Sequence, residues 1–261
     1  VIFDLSGTVL DFGSRGPVIA FVELFRRHGV PVSEAVARGP MGMLKRDHIW
    51  TILTDPEVGQ RWASVHGSLP TVETLDKLYA EFTPLQVEVL KNHCDILPGV
   101  PELVQSITAR GIKYASTTGF ETNMMGGLIP LANAAGFKPE IFMCPDMVGG
   151  GRPAPWMAFH AAKTMGVYPM KTIVKIGDTP VDVAEAHAAG MWAVSVVRHG
   201  NSVGISEAEL NALSPAEREA KFSAARAKLA VAGPHYIIDA TADLLPVLDD
   251  ITARLARGER P

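Results

Sequence analysis

The feature that most constrains this chain is a change of texture near residue 92. Beyond it, short runs rich in β-branched and aromatic residues alternate with helical segments. A helix over 100–110 leads to a strand at Ile112–Ser116. A helix over Thr122–Ala135, a strand at Ile141–Cys144, a helix over 154–165 and a strand at Thr172–Ile176 follow. Next come a helix over 180–189 and a strand at Trp192–Val197. A polar, Ala- and charge-rich helix over 214–231, a strand at Tyr236–Ile238 and a helix over 241–255 close the chain. Helices stop at Gly111, Gly166 and Gly190, where the chain needs a residue free to adopt positive φ. Such alternation specifies βαβ units and a parallel sheet covered by helices.

Before residue 92 the only strand is Val1-Ile2-Phe3. The rest reads as helix: Gly16–Gly29, with Val18, Phe21, Val22 and Phe25 on one face; a short helix capped by Ser33 and running to Arg38; then Met41–Leu53 and Val72–Leu90. The expected organisation is a core of residues 1–12 and 92–261 with an α-helical insert at 13–91.

Composition then excludes classes. With 261 residues and 47% hydrophobic content the chain can bury a core. A formal net charge of −4 argues against nucleic acid or a membrane surface as general partner. No apolar run reaches the roughly eighteen residues a membrane helix needs, and no secretory leader is visible. Cys94 and Cys144 are too few for a disulfide framework and read as buried thiols of a cytoplasmic protein. The histidines lack metal-ligand spacing, and the Gly pattern of a dinucleotide or P-loop site is absent.

In open parallel sheets ligands sit beyond the carboxyl ends of the strands. Those ends supply Asp4, then Ser116, Thr117 and Thr118, then Arg152 after a loop, then Asp178, Thr179 and Asp182. Carboxylates suit a hard divalent cation, and a guanidinium with hydroxyls suits a phosphoryl group. Taken singly, each has an ordinary explanation: Asp4 as a turn former, Asp178 and Asp182 as solvated helix-start acids, Thr118 as a cap, Arg152 as a surface charge.

Together the segments Val1–Val9 (VIFDLSGTV), Ser116–Gly119 (STTG), Gly151–Pro153 (GRP) and Lys175–Asp182 (KIGDTPVD) resemble, in order, the four motifs of the haloacid dehalogenase superfamily. The resemblance implies a Rossmann-like α/β core with an inserted α-helical cap. It implies Asp4 as the nucleophile that becomes an aspartyl phosphate. Thr118, Gly119 and Arg152 would hold the phosphoryl group. Mg²⁺ would sit between Asp4, the Ser6 carbonyl and Asp178, with Thr179 or Asp182 completing the site directly or through water.

One departure is informative. Phosphatases of this superfamily carry a second Asp two residues after the nucleophile to protonate the leaving oxygen, and here that position is Ser6. A hydroxyl cannot serve as acid or base near neutrality. The insert segment Gly39–Ile49 (GPMGMLKRDHI) resembles the cap signature of the phosphonatase branch, which also lacks that Asp. Phe12–Ser14, Pro153–Met157, Gly166–Pro169 and Ala189–Trp192 resemble the same branch. The resemblance implies cleavage of the C–P bond of phosphonoacetaldehyde through a Schiff base on Lys45. His48, on the same helix face, would shuttle protons, and Met41, at the start of the cap helix, would pack over the lysine. Relatives also suggest a homodimer. Phe120 stands where the branch more often has Tyr, and Ser14 where some relatives have Cys. The competing expectations are a phosphate-monoester phosphatase with a substitute acid, and a non-catalytic relative.

Overall fold

A computed structural model describes residues 1–261. Strand β1 (Ile2–Phe3) is followed by α1 (Arg15–Arg27), α2 (Glu34–Arg38), α3 (Lys45–Leu53), α4 (Pro56–His66) and α5 (Val72–Leu90). Then come α6 (Val100–Ala109), β2 (Ala115–Thr117), α7 (Thr122–Met125), α8 (Leu128–Ala134), β3 (Phe142–Met143), α9 (Trp156–Met165), β4 (Val174–Gly177), α10 (Pro180–Ala189) and β5 (Trp192–Val196). The chain closes with α11 (Glu207–Ala212), α12 (Pro215–Ala230), β6 (Tyr236–Ile238) and α13 (Leu244–Ala256).

The six strands form one parallel sheet in the order β3-β2-β1-β4-β5-β6. This is the α/β, Rossmann-like architecture expected. β1 lies between β2 and β4, where the strand order reverses, and such a switch point opens a crevice at the carboxyl ends. Asp4 leaves β1 at that crevice.

All five helices between β1 and β2 that precede α6 pack as a helical layer. One hydrophobic cluster runs through it and the sheet, joining Phe21, Ile49, Trp62 and Leu78 of that layer to Phe3, Val174 and Leu248. A second cluster, on α9 and α10, covers the other face of the sheet with Ala158, Ala161, Val183 and Ala186.

Several elements differ from the sequence reading. Helix α4 was not anticipated, although Asp55 accepts from the Glu57 and Val58 N–H groups, Pro56 occupies the first turn and Gly67 ends the helix. Met41 does not begin a helix. Residues 41–44 form a turn and α3 starts at Lys45, because Gly42 adopts φ +94, outside helical space. The expected helix over 122–135 divides into α7 and α8 around Gly126-Gly127. Strand β2 is confined to 115–117, and β4 starts at Val174 because Met170–Thr172 forms a 3₁₀ turn. The closing helix likewise begins at Leu244, after a 3₁₀ turn over Thr241–Asp243. Both cysteines are free, but Cys94 is only half-buried, since it lies on the surface segment after α5.

Candidate active site

The carboxyl ends of β1, β2 and β4 bring Asp4, Thr118, Gly119, Asp178, Thr179 and Asp182 together, and the loop after β3 adds Arg152. Asp4, Arg152, Asp178, Thr179 and Asp182 are all buried. One carboxylate oxygen from each of Asp4, Asp178 and Asp182 lies within 4.8 Å of the others.

The cations are shared unevenly. Arg152 Nη1 lies 2.8 Å from Asp4 Oδ1 and also pairs closely with Asp182 Oδ1. The Lys175 Nζ, from the middle of β4, is 3.1 Å from Asp182 Oδ1 and 3.1 Å from Glu185 Oε2, and it donates to Thr117 Oγ1 at 2.6 Å. The Thr117 hydroxyl in turn donates to Glu185 Oε2 at 3.0 Å. The other oxygen of Asp182 accepts from the Thr179 hydroxyl at 2.7 Å and the Thr179 N–H at 3.2 Å. Asp182 and Thr179 are therefore occupied in holding Arg152 and capping α10.

Asp178 has no cation beside it. Its Oδ1 accepts from the Thr8 hydroxyl at 3.2 Å and its Oδ2 from the Asn201 N–H at 2.7 Å. Burial and the neighbouring Asp4 push its carboxyl well above the usual range. Asp4 is raised for the same reasons, burial and the nearby Asp182 outweighing Arg152 and Lys175. Asp182 goes the other way: burial is outweighed by Arg152 and Lys175, and its carboxyl is lowered. Asp4, Asp178, Asp182 and Glu185 outnumber the buried cations around them, Arg152 and Lys175 at this end of the sheet and Lys45 on the opposite wall. The excess of carboxylates and the all-oxygen donor set fit a divalent cation.

The helical layer supplies the opposite wall. Lys45 is 2% exposed and projects toward the cavity lined by Asp4, Ser6, Ser14, Thr118, Gly119, Phe120 and Arg152. Its Nζ lies 4.9 Å from the Phe120 ring centroid and 5.7 Å from that of Phe21. Burial first, and then Arg152, lower its ammonium from 10.5 to about 8, against the opposing pull of Asp4 and Asp11. Met41 and Gly42 line the same cavity, whose volume of about 20 Å³ holds little more than one water molecule. The wall is tightly apposed: a side chain at Gly119 would strike the Met43 carbonyl and one at Gly42 the Thr179 hydroxyl. A larger groove, about 840 Å³ and lined by Pro101, Tyr114 and Lys138, contains none of these groups.

His48 does not line the cavity. Its ring stacks on Phe21 at 3.8 Å and its Nε2–H donates to the Ala37 carbonyl at 2.8 Å, which leaves Nδ1 as a buried acceptor without a partner. Burial, and then Lys45, hold its pKa well below 6.5, so the ring is neutral. The Thr118 hydroxyl accepts from the Phe120 N–H at 3.2 Å and keeps its own proton to donate. The hydroxyls of Ser6 and Ser14 face the cavity without partners.

Sequence reasoning missed Lys175, Glu185, His199 and Asn201. His199 Nδ1–H donates to the Gly7 carbonyl at 2.8 Å and its Nε2 accepts from the Thr241 N–H at 3.1 Å, which fixes the loop after Asp4. His199 and Asn201 follow β5, so the rule of inspecting strand ends, applied to that strand, reaches them. Lys175 opens the KIGDTPVD segment but, like Glu185, carries no strand-end signal, because a charge within a strand or a helix reads as solvated until its neighbours are known.

A family model for haloacid dehalogenase-like hydrolases matches residues 1–190. A phosphonoacetaldehyde hydrolase of Paraburkholderia phytofirmans is 41% identical over 261 residues, covering 100% of this chain and 98% of that protein. One from Bacillus cereus is 37% identical over 251 residues, 96% of this chain and 95% of its own. A solved structure of a phosphonoacetaldehyde hydrolase-like protein from Oleispira antarctica superposes with a TM-score of 0.98 at 37% identity, covering 100% of this chain and 94% of that one. The chain belongs to the haloacid dehalogenase-like hydrolases and, within them, to the phosphonoacetaldehyde hydrolase family. It is an enzyme of the hydrolase class. No helix is long and apolar enough to cross a membrane.

Proposed function

We propose that this enzyme hydrolyses phosphonoacetaldehyde to acetaldehyde and phosphate. The observation that carries the reading is the buried Lys45, held near a pKa of about 8, across a small cavity from Asp4. A C–P bond cannot be cleaved by protonating a leaving oxygen, because the electrons must go to carbon. A neutral Lys45 amine can condense with the aldehyde, and the resulting iminium accepts those electrons as an enamine. Phe120 and Phe21 offer ring faces that tolerate the ammonium and the iminium.

The Asp4 carboxylate attacks phosphorus as the C–P bond breaks. The Thr118 hydroxyl, the Gly119 N–H and Arg152 receive the phosphoryl oxygens. Asp182 and Lys175 keep Arg152 aimed at that point. Asp4, the Ser6 carbonyl and Asp178 would hold Mg²⁺, with Asp182 and Thr179 reaching it through water. The ion supplies electrostatic stabilisation of the charge on the transferred group. One water then hydrolyses the aspartyl phosphate to phosphate and free Asp4, the enamine is protonated on carbon to give the iminium, and a second water hydrolyses that iminium to acetaldehyde and the free Lys45 amine. His48, neutral and behind Lys45, acts from the second layer through Nδ1 rather than by touching substrate, and Met41 closes over the lysine.

Residues 13–91 are assigned as the cap, 1–12 and 92–261 as the core. A cavity of about 20 Å³ is too small for the substrate, so cap opening precedes binding. The exposed Val65, Leu69 and Val72 around the α4–α5 turn support a homodimer made through the cap, and the two free thiols support a cytoplasmic setting.

The test is an assay of phosphonoacetaldehyde against a panel of phosphate monoesters, with and without Mg²⁺. Phosphate release from the phosphonate alone, lost on chelation and restored by Mg²⁺, is expected. Comparable turnover of monoesters would favour an ordinary phosphatase.

A further inference from the structure

Arg38 ends α2, just before the Gly39-Pro40 turn that leads to Met41 and Gly42 above the cavity. Its guanidinium is nearly buried, with 12% of the side chain exposed, yet its only ion pair is with the exposed Glu34 at 3.6 Å. Its donors instead serve neutral oxygens on segments far apart in sequence. Nη1 donates to the Gly13 carbonyl at 2.8 Å, the Ser14 carbonyl at 3.4 Å and Asn201 Oδ1 at 3.1 Å. Nη2 donates to the Gly204 carbonyl at 2.7 Å. Asn201 returns a bond from Nδ2 to the Arg38 carbonyl at 3.2 Å.

The backbone N–H of the same Asn201 donates to Asp178 Oδ2 at 2.7 Å. A residue of the helical insert is thus two hydrogen bonds from the carboxylate assigned to the cation. The loop is shaped for this. Gly204 sits at φ +68, and a Cβ there would lie 2.9 Å from the Arg38 Cζ. A Cβ at Gly200 would lie 2.8 Å from the Asp178 Cβ. Both glycines let backbone approach, one for the guanidinium and one for the carboxylate.

We propose that Arg38 and Asn201 are positioning residues that couple seating of the cap to the orientation of Asp178. The inference rests on the phosphonatase reading and its divalent cation. When the cap is seated, the Arg38 fork fixes the Asn201 side chain, the Asn201 N–H is aimed at Asp178 Oδ2, and the other face of that carboxylate is turned to the cation. When the cap lifts, the Arg38 bonds to Asn201 and Gly204 break together, and the loop that aims the Asn201 N–H at Asp178 loses its tether. Cation binding and cap seating therefore reinforce each other.

A lysine cannot replace Arg38, because a single ammonium cannot span the Gly13, Asn201 and Gly204 acceptors as the planar fork does. The experiment measures Mg²⁺ affinity by calorimetry without substrate, and kcat and KM separately, for Arg38→Lys, Asn201→Ala and, as control, Arg46→Ala. Arg46 pairs only with the exposed Asp76. Arg38→Lys and Asn201→Ala are each expected to weaken Mg²⁺ binding about tenfold or more and to lower kcat/KM by a similar factor. Arg46→Ala is expected to change neither. Asn201→Ala keeps the N–H and removes little volume, so it decides the matter should the Arg38 variant fold poorly. Wild-type affinity in Asn201→Ala, or in a folded Arg38→Lys, overturns this inference alone. A wild-type protein that binds no Mg²⁺ overturns the cation assignment, and this coupling with it.

Discussion

Lys45 and Asp178 show how burial sets chemistry residue by residue. An ordinary lysine at pH 7 is neutral in about three molecules in ten thousand. With its pKa lowered by burial and Arg152 to about 8, Lys45 is neutral in roughly a tenth. The shift favours the deprotonated form, so imine formation rises with pH while the ammonium dominates. The rate should climb about tenfold per pH unit below pH 7 and level off above about 8, as read from single-turnover kinetics in rapid mixing. Lys45→Arg should lower phosphate release by on the order of 10³ or more, because a guanidinium stays protonated and cannot condense with an aldehyde. Asp4, Lys45, Arg152 and Asp178 are legible in the sequence as candidates because each sits in a motif. The contacts of Lys175 and Glu185 are not legible, although Lys175 opens the KIGDTPVD segment. Their meaning lies in the Thr117–Lys175–Glu185 triangle, which exists only after β2, β4 and α10 have packed.

The turn over 41–44 matters more to the site than the helix it precedes. Helical periodicity extends through it, and the Met41–Leu53 reading followed that periodicity. The backbone ignores it because Gly42 takes φ +94 and brings the turn against Thr179 and the Met43 carbonyl against Gly119. Gly42→Ala puts a methyl on Thr179 and forces a residue with a side chain into left-handed space. The expected result is a 10- to 100-fold fall in kcat/KM with a drop of a few degrees in melting temperature from the backbone strain, checked by steady-state kinetics beside a melting curve. Helix α4 teaches the opposite lesson, since its Asp55 cap, Pro56 and terminal Gly67 are all legible in the sequence. The division of α7 from α8 was also readable, at Gly126-Gly127.

For the whole molecule, the order β3-β2-β1-β4-β5-β6 places Asp4, the proposed nucleophile, at the switch point, and the run of helices directly after β1 places Lys45 across the cavity from it. The parallel sheet and the run of helices between β1 and β2 are both legible, because alternation and its absence are patterns of tens of residues. The closeness of the two is not. One hydrophobic cluster runs through both, and Arg38 ties them at the cavity's edge, which no periodicity encodes. Asp4 and Lys45 lie far apart in sequence and meet across a cavity of about 20 Å³, and the central claim is that they act on one molecule bound between them. Borohydride added during turnover of phosphonoacetaldehyde, followed by peptide mass spectrometry, tests this directly. The account predicts a reduced two-carbon or phosphonate-bearing adduct on Lys45, absent in Lys45→Arg. Full phosphate release with no adduct on Lys45 would contradict it.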